Sequence, residues 1–364
     1  MDLAAFSNAS LITAFVLYNL AFFGFVIALL GKKWKGRDPE KHIKKWSRRA
    51  FWTHAAGLLA QVAFFVTRWI YSGHIPTSNM FEFMTFLSMM IFAAFILVFL
   101  LYRKPVIGVF SLPVGIIILA YASVFPWEAQ PLIPALNSHW LKIHVTTAAL
   151  GEAFFAVGFA TGLMCLIRTV DFKSAAKTAR RERRGVELTI LSVLMVVGFV
   201  IVTFAFRFAG YEAVFSQPEI VDGQTVVKEV KYTMPPIVKP YQAEKVSMDP
   251  FLGMEQPLFE TPGWMKGVDA GRKFNTLIWS VLAGLLLYGL LRLLLRKPLG
   301  LTIQPLLSEL DPEDLDEISY RAIAIGFPIY TLGALIFAMI WAEIAWSRFW
   351  GWDPKEVWAL ITWL

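Results

Sequence analysis

Eight runs of mostly apolar residues recur along this chain, at 9–31, 50–71, 82–102, 106–125, 145–168, 187–208, 274–296 and 321–342. A helix needs about 20 such residues to cross the hydrocarbon core of a bilayer. A ninth run begins near Glu356, and the stretch from there to Leu364 rises only ~14 Å as a helix, so it reads as a span that is cut short or completed by something else. The predicted fold class is therefore all-α, a polytopic integral membrane helix bundle of about eight complete transmembrane helices plus a truncated ninth. Composition agrees: 57% of residues are hydrophobic and only 17% are charged, against roughly 25% charged in a soluble domain.

The loops set the orientation. "GKKWKGRDPEKHIKKWSRR" (31–49) and "RTVDFKSAAKTARRERRG" (168–185) are strongly basic, and Arg-Lys recurs at 103–104 and 296–297. The positive-inside rule makes these cytoplasmic. Alternation then puts 72–81, 126–144, 209–273 and 343–355 outside, together with the N-terminus, whose first run lacks the basic flank of a cleaved leader. The net charge of +7 is accounted for by these loops and gives no reason to expect nucleic acid. The single cysteine, Cys165, lies inside an apolar run, which leaves no intrachain disulfide and no CxxC pair.

Three regions follow: an N-terminal six-helix membrane region over 1–208, an outer loop or small insertion over 209–273, and a C-terminal membrane region over 274–364. The middle one is the only long polar stretch. Its "EIVDGQTVVKEVKYTM" reads as a strand pair turning at Asp222-Gly223. The acidic 302–319 segment is expected along the inner surface.

Polar and aromatic residues gather at the outer side. Six tryptophans fall within 341–364. Trp346 and Trp350 are spaced one helical turn apart, Trp352 follows, and Asp353-Pro354 has the chemistry of a helix start. The cluster suits either an aromatic belt at the membrane surface or a flat face for a large planar ligand. His139 and His144 precede the fifth run at an i, i+5 spacing that does not place both on one helical face. One of them is enough for an axial bond to a haem iron, and an interfacial histidine bonded to backbone or water is the plainer alternative. Arg68 and Glu82 flank the turn "SGHIPTSNMFEF" at the membrane boundary. Arg68 can pair with Glu82 or with a ligand carboxylate such as a haem propionate. Glu152 stands two turns beyond His144 on roughly the same face, and an intramembrane carboxyl is a functional candidate by default. His54 is expected to be a buried structural residue, and His42 a solvated one. There is no P-loop, GxGxxG, HExxH or GxSxG motif.

Four stretches together resemble the CcsA (ResC) family of system II cytochrome c maturation, haem-handling proteins with a tryptophan-rich "WWD" signature. They are "SGHIPTSNMFEFMTF", "LNSHWLKIHV", "LDEISYRAIAIGFPIYTLGALIFAMIWAEIAW" and "WSRFWGWDPKEVWALITWL". The resemblance implies that haem b is presented at the outer face of the bacterial cytoplasmic (inner) membrane, where its vinyl groups form thioethers with the CxxCH thiols of an apocytochrome c. It implies His144 as an axial ligand, the N-terminal region as bearer of that ligand loop, and Trp346, Trp350, Trp352 and Asp353 as the platform. It also implies a CcsB (ResB)-type membrane partner, with which the chain would act as a subunit of a cytochrome c synthase, and a thioredoxin-like reductant acting on the apocytochrome. The alternative is a haem transporter or chaperone that delivers haem without catalysing attachment. Three departures stand out. The family leads one to expect further histidines after the signature, beyond Leu364. Gly151-Glu152 also replaces an expected Ser-Tyr pair, so Glu152 inherits no role, and the 186–300 region looks like an insertion.

Overall fold

The computed structural model describes residues 2–31, 38–129, 137–221, 224–267 and 269–364. Among them, eight helices are long and apolar enough to cross a membrane. They match the eight predicted runs; most begin ahead of them, while the fourth, Pro105–Ala122, ends short of its run. The polytopic, essentially all-α class is the one observed.

The chain divides into two compact units, one formed by Met1–Asp171 with Ile303–Leu364 and the other by Phe172–Thr302. In the first unit, α1 (Leu3–Leu30) packs along α2 (Pro39–Ser72). Next come α3 (Met80–Tyr102), α4 (Pro105–Ala122) and α5 (His139–Thr169). Several local signals set these limits. Asp38 caps α2 ahead of Pro39, and Gly73 closes it at φ 75°, a left-handed value that costs glycine little. Asn79 caps α3 by accepting from the Glu82 N–H. Ser138 caps α5 by accepting from the Trp140 N–H. The core joins Leu11, Ala14, Tyr18, Phe64, Phe81, Phe92 and Leu119. It also buries a polar relay: Tyr18 donates to Gln61 Oε1 at 2.7 Å, and the Gln61 amide donates to the Thr85 carbonyl and to Ser88 Oγ.

His54 is fully buried among Tyr18, Phe92 and Phe95 and bonds the Phe92 carbonyl through Nε2, the structural role expected of it. His42 departs from expectation. It is buried, with Nε2 3.0 Å from the Ile27 carbonyl, where the imidazole adds a second partner to an oxygen that already accepts from the Gly31 N–H at the end of α1.

The second unit carries α6 (Lys177–Phe208), α7 (Ala270–Leu295) and the short α8 (Leu299–Ile303), which runs on into the first unit. Between α6 and α7 lie β1 (Ala213–Val221), β2 (Gln224–Tyr232), β3 (Val238–Lys239), β4 (Glu244–Met248) and β5 (Phe259–Glu260). β1 is central between antiparallel β2 and β4, and β3 pairs with β5 in parallel. The register Val221↔Gln224 bears out the predicted strand pair, while its Asp222-Gly223 turn lies outside the described residues. Ala213, Phe215, Val230 and Tyr232 form the small core of this sheet.

Returning to the first unit, a 3-10 turn at Gln304–Leu307 precedes α9 (Pro312–Tyr330), which is capped by Asp311. α9 runs without a break into a π-helical segment, Thr331–Phe337, and then into α10 (Ala338–Trp346). Ser347, at φ 53°, ends α10. The last element is α11 (Pro354–Trp363). The acidic 302–319 stretch thus supplies the turn and the first residues of a spanning helix, and Asp314 pairs with Lys104.

Candidate functional site

α5 lies against α9 and the π-helical segment so closely that side chains are excluded at the contact. A Cβ on Gly151 would sit 2.7 Å from Tyr330 Cα, and one on Gly333 would land on the backbone nitrogen of Ala148. Small residues let membrane helices approach in this way. The approach brings His144, near the start of α5, to the carbonyl of Gly333, with Nδ1 2.9 Å from the oxygen. A carbonyl only accepts, so Nδ1 carries the proton. In the neutral ring the lone pair then sits on Nε2. Metal-binding histidines are commonly fixed in this way by a backbone carbonyl on the other nitrogen. A widened π segment at the point of contact is a frequent companion of functional sites.

The indole of Trp341 covers the His144 ring, the two planes lying 8° from parallel with centroids 6.1 Å apart. Trp341 in turn meets Trp346 edge to face at 6.4 Å. Trp350 and Trp352 form a second edge-to-face pair at 6.0 Å. Trp346 and Trp350 do not share a helical face, because α10 stops at Trp346 and the chain turns at Ser347. Trp346 and Trp352 are largely exposed, as is Phe349, so apolar area is left open around the turn.

The turn is held by its carboxylates. Asp353 Oδ1 accepts from the Lys355 and Glu356 N–H groups at 2.8 and 2.9 Å, while Glu356 Oε2 accepts from Gly351 N at 2.6 Å and from Asp353 N. This is a capping box with proline at the first helical position, and it is the helix start expected at Asp353-Pro354. Trp352 sits at φ 56°, a left-handed conformation unfavourable for a bulky side chain and kept only where the surroundings hold it.

Arg68 and Glu82 form a different cluster. Both are fully buried, with Arg68 Nε 2.9 Å from Glu82 Oε1. Arg68 Nη1 also donates to the Tyr71 hydroxyl and to the Trp127 carbonyl. Glu82 Oε2 accepts from the Ser78 backbone and hydroxyl. Phe81 stacks on Trp127 beneath the guanidinium. Of the two pairings open to Arg68, the structure adopts the one with Glu82. His74 is buried with Nδ1 3.0 Å from the Ile75 carbonyl, and His139 is the first residue of α5. Glu152 does not converge with His144. It lines a cleft with residues of α3, α4 and α11.

Trp341 and Gly333 are the members of the site that sequence reasoning left out. Trp341 lies within the tryptophan-rich stretch, and that was its only signal. Nothing in the sequence marks Gly333 as the acceptor for a histidine 189 positions away.

The fold and this site define a multi-pass membrane protein with an aromatic face built around one ordered imidazole. A family profile described as "Cytochrome C assembly protein" matches residues 77–210 and 276–364. Among curated relatives, the "Cytochrome c biogenesis protein CcsA" of Gloeobacter violaceus is 27% identical, over 85% of this chain and 70% of that one. The proteins of the same name from Trichormus variabilis and Gloeothece citriformis are 29% and 30% identical. Each of these matches covers 82% of this chain, with 69% of the Trichormus protein and 67% of the Gloeothece protein. No solved structure matches the chain. The chain belongs to the cytochrome c assembly protein family, in its CcsA branch.

Proposed function

We propose that this protein presents haem b to apocytochrome c at the outer face of the bacterial inner membrane, as the haem-handling subunit of a system II cytochrome c synthase. Membership of a cytochrome c assembly family already places it in haem handling for cytochrome c biogenesis. The observation that carries the finer reading is the tautomer of His144: Nδ1–H is committed to Gly333, and Nε2 is free to act as an axial ligand to iron. Trp341 flanks that imidazole, and the exposed indoles of Trp346 and Trp352, with Trp350 beside them, offer apolar ring faces for a porphyrin to lie against. Asp353 holds the platform from below by starting α11.

The chemistry of attachment is addition. Each CxxCH thiol forms a carbon–sulfur bond to a haem vinyl carbon, and the thiol hydrogen goes to the neighbouring vinyl carbon, so no electrons are lost or gained. The protein's contribution is to hold the vinyl groups where the thiols reach them, and positioning of that kind accounts for much of such rate enhancements. The near absence of cysteine here leaves the thiols to the apocytochrome and their reduction to a thioredoxin-like partner. A CcsB-type membrane protein completes the synthase. Arg68 and Glu82 act at this site indirectly, by bracing the outer turns at 72–82 and Trp127.

The test is an absorption spectrum of the purified full-length protein beside a His144→Ala variant. A low-spin haem spectrum that weakens in the variant is the expected result. A haem-free wild type, even when supplied with haem and its partner, refutes the reading. Loss of covalent cytochrome c in a deletion strain that still exports haem separates the synthase from a haem carrier.

A further inference from the structure

We propose that the cleft beside Glu152 binds an uncharged, carbonyl-bearing prenyl lipid of the quinone class, within the membrane and apart from the haem face. The cleft measures about 330 Å³ and is shallow, open over most of its face. Its wall comes from Leu87 and Ile91 of α3, Ile118 of α4, and Phe155 and Phe159 of α5, with Glu152 as its one ionisable residue. Glu152 stands near the middle of α5, and Leu87 and Ile91 near the middle of α3, both of them spanning helices. The opening therefore lies at the depth of the acyl chains, and Phe159 is 45% exposed there.

The polar chemistry of the cleft selects its occupant. Among the described residues no hydrogen bond or ion pair engages the Glu152 carboxyl. The hydroxyls nearby are already used: Thr362 donates to the Trp358 carbonyl and Tyr330 to the Ala359 carbonyl. A polar group facing an apolar cleft at membrane depth without a partner is costly, and the cost is relieved by a ligand that supplies the missing half of a hydrogen bond. The acid form of Glu152 has an O–H to donate, which calls for an acceptor such as a carbonyl oxygen. The lining holds no Lys, Arg or His, so an anionic ligand would meet only a carboxyl. That disfavours haem, with its two propionates, and fatty acids. Phe155 and Phe159 are one helical turn apart on the same wall and offer faces for a flat ring. A ring carbonyl on an apolar tail meets all three requirements.

The experiment uses the full-length protein in phosphatidylcholine nanodiscs and a ring-azido benzoquinone bearing a decyl tail. Photolabelled peptides are mapped by mass spectrometry, with decylubiquinone as competitor. Label is expected on the α5 peptide containing Glu152–Phe159, and it should be removed by the competitor. Glu152→Leu should lower labelling about tenfold, the effect of losing one buried hydrogen bond. Ala156→Trp, which fills the cleft and keeps the carboxyl, should lower it similarly. Glu152→Gln keeps an N–H donor and should keep the label. Unchanged thermal unfolding of the variants separates loss of binding from loss of fold. Labelling that is absent or unlocalised in the wild type, that is equal in Glu152→Leu, or that is displaced by stoichiometric haemin overturns the proposal. None of these readouts depends on haem bound at His144, so the two readings fail separately.

Discussion

The imidazole of His144 lies 8° from parallel to the indole of Trp341, two rings separated by 197 positions in sequence and joined by the contact of α5 with α10. The contact exists because α5 can come within backbone distance of the π-helical segment, and Gly333 is the residue that permits it. Gly333→Ala inserts a methyl group between two backbones. It is expected to cost about 1–3 kcal/mol through overpacking and to lower haem retention, because the His144 carbonyl partner moves. Thermal unfolding together with the haem absorption band checks both effects. Full haem retention with lowered stability would show that the carbonyl does not orient the ligand.

The Arg68–Glu82 pair is a buried ion pair at zero exposure. Removing one partner strands the other charge, so Arg68→Ala or Glu82→Ala is expected to destabilise by about 3–5 kcal/mol. Replacing both with apolar residues of similar size, Arg68→Met with Glu82→Leu, should recover most of that loss. A double-mutant cycle on thermal or denaturant unfolding measures it, and additive losses would remove the pair as the bracing element.

Trp352 holds a left-handed backbone conformation that costs a bulky residue about 1–2 kcal/mol. Trp352→Gly relieves that cost and deletes the indole. Local stability of the turn, read by hydrogen exchange of the α11 amides, is expected to rise while haem retention falls. A change of the same sign in both would place Trp352 in the scaffold rather than in the platform.

Asp353 caps α11 through two backbone N–H groups. Asp353→Ala is expected to cost about 1 kcal/mol, and Asp353→Ser to restore most of it. If haem retention follows the same order, Asp353 acts by starting the helix. A serine variant that folds normally yet loses haem would instead assign the carboxylate a direct role.

In the sheet-bearing unit, the Gln242 backbone N–H and then the Lys239 ammonium hold the Glu260 carboxyl below its ordinary pKa. The sign follows from that depression. The carboxylate's contribution to local stability is present above the unfolded-state pKa and is lost as pH falls through the lower folded value. A carboxyl-carbon NMR titration should find a midpoint below the usual glutamate range. Lys239→Gln should raise it only partway, since the larger contribution, from Gln242, remains.

The spans were legible in the sequence because hydrocarbon demands length and apolarity and little else. Each of the eight runs became a helix, and Asp353-Pro354 marked the start of α11, whereas α2 and α5 begin at Pro39 and His139, ahead of the runs read from 50 and 145. The strand pair was legible within 219–234 from its Asp-Gly turn signal, though its first strand begins earlier, at Ala213, and the family was legible from four motifs in order. Tertiary structure decided the rest. His42 became buried because α2 packs along α1 and brings its ring to the Ile27 carbonyl at the end of α1. Trp346 and Trp350 parted because a left-handed residue ended the helix between them, and no period in the sequence encodes that stop. Arg68 had two chemically suitable partners, and packing chose Glu82. His144 was a visible candidate, but its tautomer was fixed by Gly333, whose carbonyl became available only when two helices met at a glycine contact. Sequence by itself determined which segments enter the membrane and which residue types line its edge. Which ring nitrogen of His144 keeps its lone pair, and which indole lies beside the ring, depended on the close approach of residues nearly 200 positions apart.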